Sequence, residues 1–269
     1  MKSILLYVAN DRGMEARVEA ALSVAHSYKG HVNCLHVTPH DFILTGDPLG
    51  SATTMPVEPE DIRRREDELR HGIEERFGRE GISWEWRALS GMPQQMIAEQ
   101  SRLADLIVMN LPGAAGALAD PPASMTGTVA IHARAPVLAV PVDKGHVKLV
   151  GPVLVAWNGS QECAHALRLA LPMLSLASVV HIVTISDNPI DFPPAEASRY
   201  LALHDIVSQI HEWPPSGNSV ADALLDAAAS LQCGYILMGA YGRPRFLEAV
   251  FGGVSRDLLH GSTPLVLAH

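Results

Sequence analysis

The chain has 269 residues, of which 48% are hydrophobic and 18% charged, and it carries a formal net charge of −9 with a pI of about 5.8. This length and a mean hydropathy of +0.13 are typical of a globular protein with one large core or two modest ones. An acidic chain without a dense cluster of lysine and arginine excludes general nucleic-acid binding. No apolar run approaches the roughly 18 residues of a membrane-spanning helix, and the first residues do not resemble a signal peptide, so we expect a cytoplasmic protein that does not contact a membrane.

The first half of the chain alternates apolar strand patterns with helical patterns. A stretch rich in proline, glycine, threonine and aspartate, residues 39–59, predicts a long loop between two of these elements. The other predicted elements, in chain order, are a strand at 4–10, a helix at 14–28, a strand at 31–37, a charged helix at 60–77 and a closing strand at 136–140.

The second half repeats this order at a spacing of about half the chain length, which indicates an internal repeat. Its helical pattern is carried by Ala164, Leu167, Leu171 and Leu174, which recur at the spacing of one helix face. The predicted elements are a strand at 153–158, a helix at 161–176, a strand at 179–185, a variable stretch at 186–194, a short helix at 195–208 and a closing strand at 264–268.

This alternation predicts an α/β fold with parallel strands, whose continuous apolar character requires helices on both faces of the sheet. We predict two domains, residues 1–145 and 147–269, joined by a short linker at 143–151. Because the linker is short, the two domains should pack together as a pseudo-symmetric pair, as the subunits of a homodimer would.

Residues 235–269 contain the pattern with the most chemical content: a buried strand, a glycine-rich loop, a helix and a second strand. Gly239 and Gly242 lack a Cβ atom, so the loop backbone can come close to a ligand and present its amides to an anion. Gly252 and Gly253 open the following helix, whose free N-terminal amides favour phosphate, and Ser255 can donate its hydroxyl or cap the helix. Taken alone, Gly239 and Gly242 are also what a plain strand-to-helix turn would need.

The strand ending at Asn158, the strand reaching Ile185 and the glycine segment with Ser255 together resemble the universal stress protein family. The resemblance is strong in the second half and moderate in the first, and it implies a tandem universal stress protein. It further implies two open, mostly parallel five-stranded sheets of the Rossmann-like, adenine nucleotide alpha hydrolase-like class. ATP, with or without magnesium, would lie outside the C-terminal strand ends of the second domain, and the closing strands 136–140 and 264–268 would pair with each other.

Several further residues belong to the site that this resemblance implies. Asn158 stands where the family often has aspartate, and its carboxamide can bind ribose or adenine, or simply form a turn with Gly159. Trp157 fits core packing better than base stacking, and Arg243 fits a phosphate contact and a solvated loop equally well. Gly253 stands where the family has a hydroxyl residue. The remaining candidates are the apolar residues Ala156, Ile185 and Met238 as walls for adenine, and Val254 at the start of the last helix.

The first half lacks most of the glycine pattern. It has Asn110 near the end of the corresponding strand, and Pro112, Pro121 and Pro122 remove backbone donors that a phosphate loop would need. We therefore predict that the first half binds no ATP in the family's usual mode.

Three hypotheses for function follow. The first is a stress-response protein that binds an adenine nucleotide in its second domain and acts as a sensor or regulator, with slow ATP hydrolysis at most. The second is a scaffold that binds a protein partner, or a further copy of the chain, without nucleotide. The third is a hydrolase or redox enzyme that uses one of the three cysteines, although Cys34 and Cys233 lie in apolar strand patterns that favour buried thiols. The 13 histidines show no ligand spacing for a metal.

Overall fold

The computed structural model describes residues 1–39, 59–112, 125–185, 190, 192–214, 219–240 and 253–269, without the side chains of residues 59, 62, 253, 255 and 256. Within these ranges strands and helices alternate as the sequence predicts. The strands are β1 Ser3–Val8, β2 His31–Thr38, β3 Ser83–Ser90, β4 Leu106–Asn110, β5 Val137–Val140, β6 Val153–Ala156, β7 Val180–Thr184, β8 Ser208–Glu212, β9 Ile236–Gly239 and β10 Leu265–Ala268. The helices are α1 Met14–Tyr28, α2 Pro59–Glu80, α3 Pro93–Gln100, α4 Met125–His132, α5 Gln161–Leu169, α6 Leu171–Leu174, α7 Pro194–Ala202, α8 Val220–Ser230 and α9 Gly253–Leu259.

The strands form one sheet in the order β3-β2-β1-β4-β5-β10-β9-β6-β7-β8. Neighbouring strands within β1–β5 and within β6–β10 are parallel, and the two sets meet where β5 pairs antiparallel with β10 through Leu138 and Val266. We call β1–β5 with their helices the first half and β6–β10 with theirs the second half. Both halves have the same strand order, read outward from the central pair.

The predicted pairing of the two closing strands is confirmed. The two predicted five-stranded sheets are thus continuous, because the antiparallel pair joins all strands into a single ten-stranded sheet. The reason is that a strand at the edge of a sheet exposes unpaired backbone groups, and each closing strand satisfies those of the other.

Helices cover both faces of the sheet, as the apolar strands require. One face packs against α1, α2, α5, α6 and α7, and the other against α3, α4, α8 and α9. Alternate residues of a strand therefore enter different layers: Val155 and Trp157 lie in the first, and Leu154 and Ala156 in the second. This alternation determines which side chains can meet at the strand ends.

The linker between the halves is part of the packed structure. Val147 and Leu149 are buried in the layer that contains α1 and α5. Gly145 lies so close to the backbone of Ala16 that an added Cβ would be 2.5 Å from its carbonyl oxygen. A linker held in this way keeps the two halves in one orientation.

Two predicted helices differ from those observed. The pattern at 161–176 forms α5 and then α6, with Pro172 at the start of α6, where its missing N–H is tolerated. The helix predicted at 195–208 ends with Ala202, because Asp205 adopts a left-handed backbone with φ of 57° and β8 begins at Ser208. The predicted loop at 39–59 lies outside the described residues, except for its two end positions. No helix in the described ranges is long and apolar enough to cross a membrane.

Candidate functional site

The candidate site lies at the C-terminal ends of β6 and β9, which are neighbours in the sheet. The chain leaves β6 toward β7 on one side, while β9 lies on the other side, so the strand order reverses at this point. In open α/β sheets such a reversal leaves a crevice at the strand ends. The first half has the same arrangement between β1 and β4.

Asn158 forms the turn that leads from β6 into α5. Its Oδ1 accepts a hydrogen bond from the backbone N–H of Ser160 at 3.0 Å, and Ser160 caps the helix by accepting from the N–H of Cys163 at 3.2 Å. The Cys163 thiol lies 3.0 Å from the same Oδ1 and 3.4 Å from the carbonyl oxygen of Ala156. The Asn158 side chain is nevertheless exposed, so a ligand in the crevice can reach it.

An apolar surface adjoins this turn. Ala156, Ile185 and Val254 are partly buried and pack against the layer that contains Met238. Three of these residues come from adjacent strand ends and the fourth from α9. The four predicted apolar candidates therefore lie on the same side of the sheet.

Trp157 and Gly159 have structural roles. Trp157 is 3% exposed, packs on the opposite side of the sheet from Ala156, and donates its indole N–H to the carbonyl of Phe192 at 3.0 Å. Gly159 has a φ of 76°, and an added Cβ would lie 2.4 Å from Ile190. The packing interpretation of Trp157 agrees with its burial, and Gly159 is required by its backbone and by the chain that covers it.

Gly239 permits close packing of β9 against the first turn of α5. A Cβ at this position would lie 2.5 Å from the backbone nitrogen of Cys163 and 2.5 Å from the carbonyl carbon of Glu162. The glycine at the end of β9 therefore has a steric reason that does not involve a ligand. This reason could not be read from the glycine spacing, because the contact joins distant parts of the chain.

Part of the predicted phosphate loop cannot be placed. Gly242, Arg243 and Gly252 lie outside the described residues, and for Gly253 and Ser255 the structure describes only that they belong to α9. Pro121 and Pro122 of the first half are also outside the described residues. Their proposed roles remain predictions from the sequence.

The first half fills the corresponding place with a charged cluster that the sequence did not reveal. Arg17, in α1, is 3% exposed; its two terminal nitrogens lie 3.0 and 3.1 Å from the carboxylate oxygens of Asp11. The guanidinium also donates to the side-chain oxygen of Asn110 and to the carbonyl of Ala9, and it lies 5.3 Å from the ring centre of Tyr7. Burial raises the pKa of the Tyr7 hydroxyl, although Arg17 opposes this effect, so the hydroxyl stays neutral at physiological pH.

The cysteines give no support to a reactive thiol. Cys34 is fully buried, and burial raises the pKa of its thiol far above its usual range. Burial also raises the pKa of Cys233 to about 11. Since the thiolate is the nucleophile, both residues are poorly reactive. Within the described residues, no group of three or more histidine, cysteine, aspartate or glutamate side chains could hold a metal ion.

A cavity of about 340 Å³ lies elsewhere, between β2, β3 and the C-terminal end of α3. Its Arg87 is already paired, since it donates to Gln100 at 2.6 Å and to Glu85 at 3.0 Å. The residues that line it all belong to the first half, and we do not connect the cavity with the candidate site.

Comparison with known proteins assigns a family. The model of the universal stress protein family matches residues 1–141. This is the half in which the sequence resemblance is moderate rather than strong. A universal stress protein from Archaeoglobus fulgidus has a similar structure, with a TM-score of 0.73 at 17% identity over 99% of this chain and 95% of that one. A functionally unknown protein from Pseudomonas aeruginosa has a TM-score of 0.55 at 18% identity over 100% of this chain and 92% of that one. No curated protein matches the chain in sequence.

Proposed function

We propose, because the chain belongs to the universal stress protein family, that its second half binds ATP or a related adenine nucleotide and acts as a nucleotide-dependent sensor or regulator. The observation that carries the proposal is the arrangement at the ends of β6 and β9, where the exposed carboxamide of Asn158 adjoins an apolar surface. An adenosine group combines apolar ring faces with polar edges, and pockets for such ligands combine apolar walls with a few polar groups.

The described residues fit the adenosine part of such a ligand. Ala156, Ile185 and Met238 would contact the base, and Asn158 would hydrogen-bond the ribose or the edge of the base. The phosphates would be held by the glycine-rich loop and the start of α9, which supply backbone amides. We assign this role, from the sequence motif, to Gly239, Gly242, Arg243, Gly252, Gly253, Val254 and Ser255.

We also propose that residues 1–145 and 147–269 are two domains of the same family. The support is the strand order, which is the same in both halves when read outward from the central pair. The first domain would bind no nucleotide in this mode, because the Arg17 cluster occupies the end of the crevice there. We expect binding rather than fast hydrolysis in the second domain, since a carboxamide is not a general base.

A titration of the intact protein with a fluorescent ATP analogue tests the proposal. Gly242→Val should weaken binding at least tenfold, because a β-branched side chain obstructs close approach to the loop backbone. The matched control is Gly113→Val: Gly113 lies three residues after Asn110, as Gly242 lies three residues after Gly239. This control should leave the affinity unchanged.

Two results would contradict the proposal. One is that the intact protein does not bind the analogue at concentrations up to about 1 mM, where binding free energy falls to roughly 4 kcal/mol. The other is that both glycine variants lose affinity equally, which would mean that the effect is unrelated to the second-half loop.

A second candidate function is a scaffold that binds a protein partner. The observation that favours it is a group of exposed apolar side chains near β8, which is an edge strand of the sheet. Natural proteins usually keep such an edge polar or covered. Sedimentation of the purified protein with and without nucleotide tests self-association through this edge: a dimer that Ile210→Lys disrupts would support the scaffold. The exposed side chains are Leu203, Val207 and Ile210.

A further inference from the structure

The orientation of the Asn158 carboxamide follows from its neighbours. The backbone N–H of Ser160 points at one end of this group at 3.0 Å. A backbone N–H can only donate, so the atom it meets must be the carbonyl oxygen Oδ1 and not the nitrogen Nδ2. The identity of the two ends is therefore determined by chemistry.

Cys163 reinforces this orientation from the other side. Its thiol lies 3.0 Å from Oδ1 and 3.4 Å from the carbonyl oxygen of Ala156, so its single proton lies between two acceptors. Turning the carboxamide over would place Nδ2 against the N–H of Ser160, donor against donor. Within the described part of the chain, Nδ2 donates to no protein group, and the side chain is exposed.

We propose that Asn158 meets the nucleotide as a hydrogen-bond donor, that Cys163 is the residue that positions it, and that the site therefore takes the nucleotide as the metal-free anion. This inference rests on the proposed nucleotide-binding function and adds the charge form of the ligand. The partner of Nδ2 is an acceptor on the ligand, such as a ribose or phosphate oxygen. Oδ1 accepts from the N–H of Ser160 and lies against the Cys163 thiol, so it is not available to coordinate a cation.

The first half shows what a carboxylate does at this position. Asp11 lies three residues before α1, as Asn158 lies three residues before α5. It also accepts from the N–H two residues on, that of Gly13 at 2.9 Å, but its charge is balanced by Arg17. The fourth residue of α5 is Ala164, which supplies no such cation. A carboxylate at position 158 would therefore lack the cation that Asp11 has at the fourth residue of its helix.

The isosteric variant Asn158→Asp tests this inference. It keeps an oxygen for Ser160 and Cys163 and replaces the outward amide by a second oxygen. In the ATP-analogue titration, the affinity of wild-type protein in EDTA should be within about twofold of its affinity in excess Mg²⁺. Asn158→Asp should bind more than tenfold more weakly in EDTA, with recovery in Mg²⁺, because a carboxylate repels the phosphates and is a good magnesium ligand. Asp11→Asn is the matched control and should bind as the wild type does.

The outcomes separate the two proposals. If wild-type protein binds no analogue in either buffer, the nucleotide function itself fails, and this inference fails with it. If wild-type protein binds the analogue more than tenfold more tightly in Mg²⁺ than in EDTA, only the present inference is overturned. The same holds if Asn158→Asp binds in EDTA as tightly as the wild type.

The positioning role of Cys163 has its own test. Cys163→Ala removes one donor and should weaken binding in EDTA about threefold, whereas Cys163→Ser keeps a donor and should restore it. In ¹⁵N-labelled protein, the Asn158 side-chain amide signals, assigned with Asn158→Asp, should shift on addition of nucleotide. Equal binding by the Ala, Ser and wild-type proteins would overturn the role of Cys163, and unshifted amide signals in the bound state would overturn the contact of Asn158.

Discussion

The two halves of the sheet carry different residues at equivalent places beside the strand-end crevice. Three residues before the helix, the first half has Asp11 and the second has Asn158. The fourth residue of the helix is Arg17 in the first half and Ala164 in the second. At the end of the adjacent strand, the first half has Asn110 and the second has Gly239, since Leu111 and Ala240 make the same backbone hydrogen bond to the closing strands. In the first half these polar groups bond to one another, whereas in the second half an uncharged donor stays exposed.

The two halves also differ in where a glycine allows the strand and the helix to pack closely. In the first half the residue before the helix is Gly13, and an added Cβ would overlap the side chain of Asn110. In the second half the residue before the helix is Ser160, and the glycine stands instead at the strand end, as Gly239. Each half thus keeps one glycine where strand and helix approach. Packing alone therefore explains Gly239, a glycine that the sequence assigned to a phosphate loop.

The largest expected effect comes from transferring the first-half residue to the second half. Gly239→Asn would force its Cβ into backbone atoms of Glu162 and Cys163, which cannot move without displacing α5. We expect a loss of about 3 kcal/mol in the free energy of unfolding, measured by urea titration. The control is Gly72→Asn, where an added Cβ meets nothing within 4 Å. Equal stability of the two variants would refute the steric account.

The next effect concerns the charged cluster of the first half. Arg17→Met should lower the free energy of unfolding by about 2 kcal/mol, because Asn110 and the carbonyl of Ala9 lose a buried donor. The Asp11 carboxylate is 44% exposed, so water limits the cost. The exposed Arg168→Met is the control and should change stability by less than about 0.5 kcal/mol. A cluster that stabilises as a unit should also make Asp11→Asn less harmful in the Arg17→Met background than alone.

A smaller effect, an increase in stability, is expected from substitution of Tyr235, the residue before β9. Tyr235 is fully buried, and its hydroxyl has no hydrogen-bond partner among the described residues. The equivalent residue of the first half is the buried Leu106, since Ile107 and Ile236, the residues that follow, both donate to the proline before the closing strand. Tyr235→Phe should therefore raise the free energy of unfolding by about 1 kcal/mol. A lower melting temperature for this variant would indicate that the hydroxyl has a partner, such as a buried water.

The smallest expected effect concerns the pH dependence of stability, through a pair of histidines near the outer edge of the second half. His181 and His211 lie on adjacent strands with ring nitrogens 3.0 Å apart. Burial, and secondarily His211, lower the pKa of His181 below its ordinary value of 6.5. The unfolded chain therefore binds a proton more readily than the folded chain, so stability is full above this pH and declines as the pH falls below it. Thermal unfolding between pH 7 and 5 should show a smaller decline for His181→Gln than for wild-type protein.

The sequence predicted the alternation of strands and helices well, because hydrophobic periodicity is a local property. The helix at 14–28 has the predicted bounds, and the closing strands pair as the resemblance implies. The break after Leu169 and the end of α7 were missed, because a proline at the start of a helix and a left-handed aspartate leave little trace in an amphipathic pattern. Of the site, the sequence indicated the position of Asn158 and its apolar neighbours, but it did not indicate their partners.

By itself, then, the sequence determined the fold class, because the alternation of strand and helix patterns is a local property, and it predicted an internal repeat and the region of a candidate site. Only the tertiary structure decided which polar groups meet. Arg17 and Asn110 are 93 residues apart in the chain, and Gly239 meets Cys163 only because β9 lies beside β6. The Cys163 contact with Asn158 spans five residues, yet it requires the turn made by Ser160. Hydrogen bonds and steric contacts act over a few ångströms in space, so residue spacing along the chain cannot specify them.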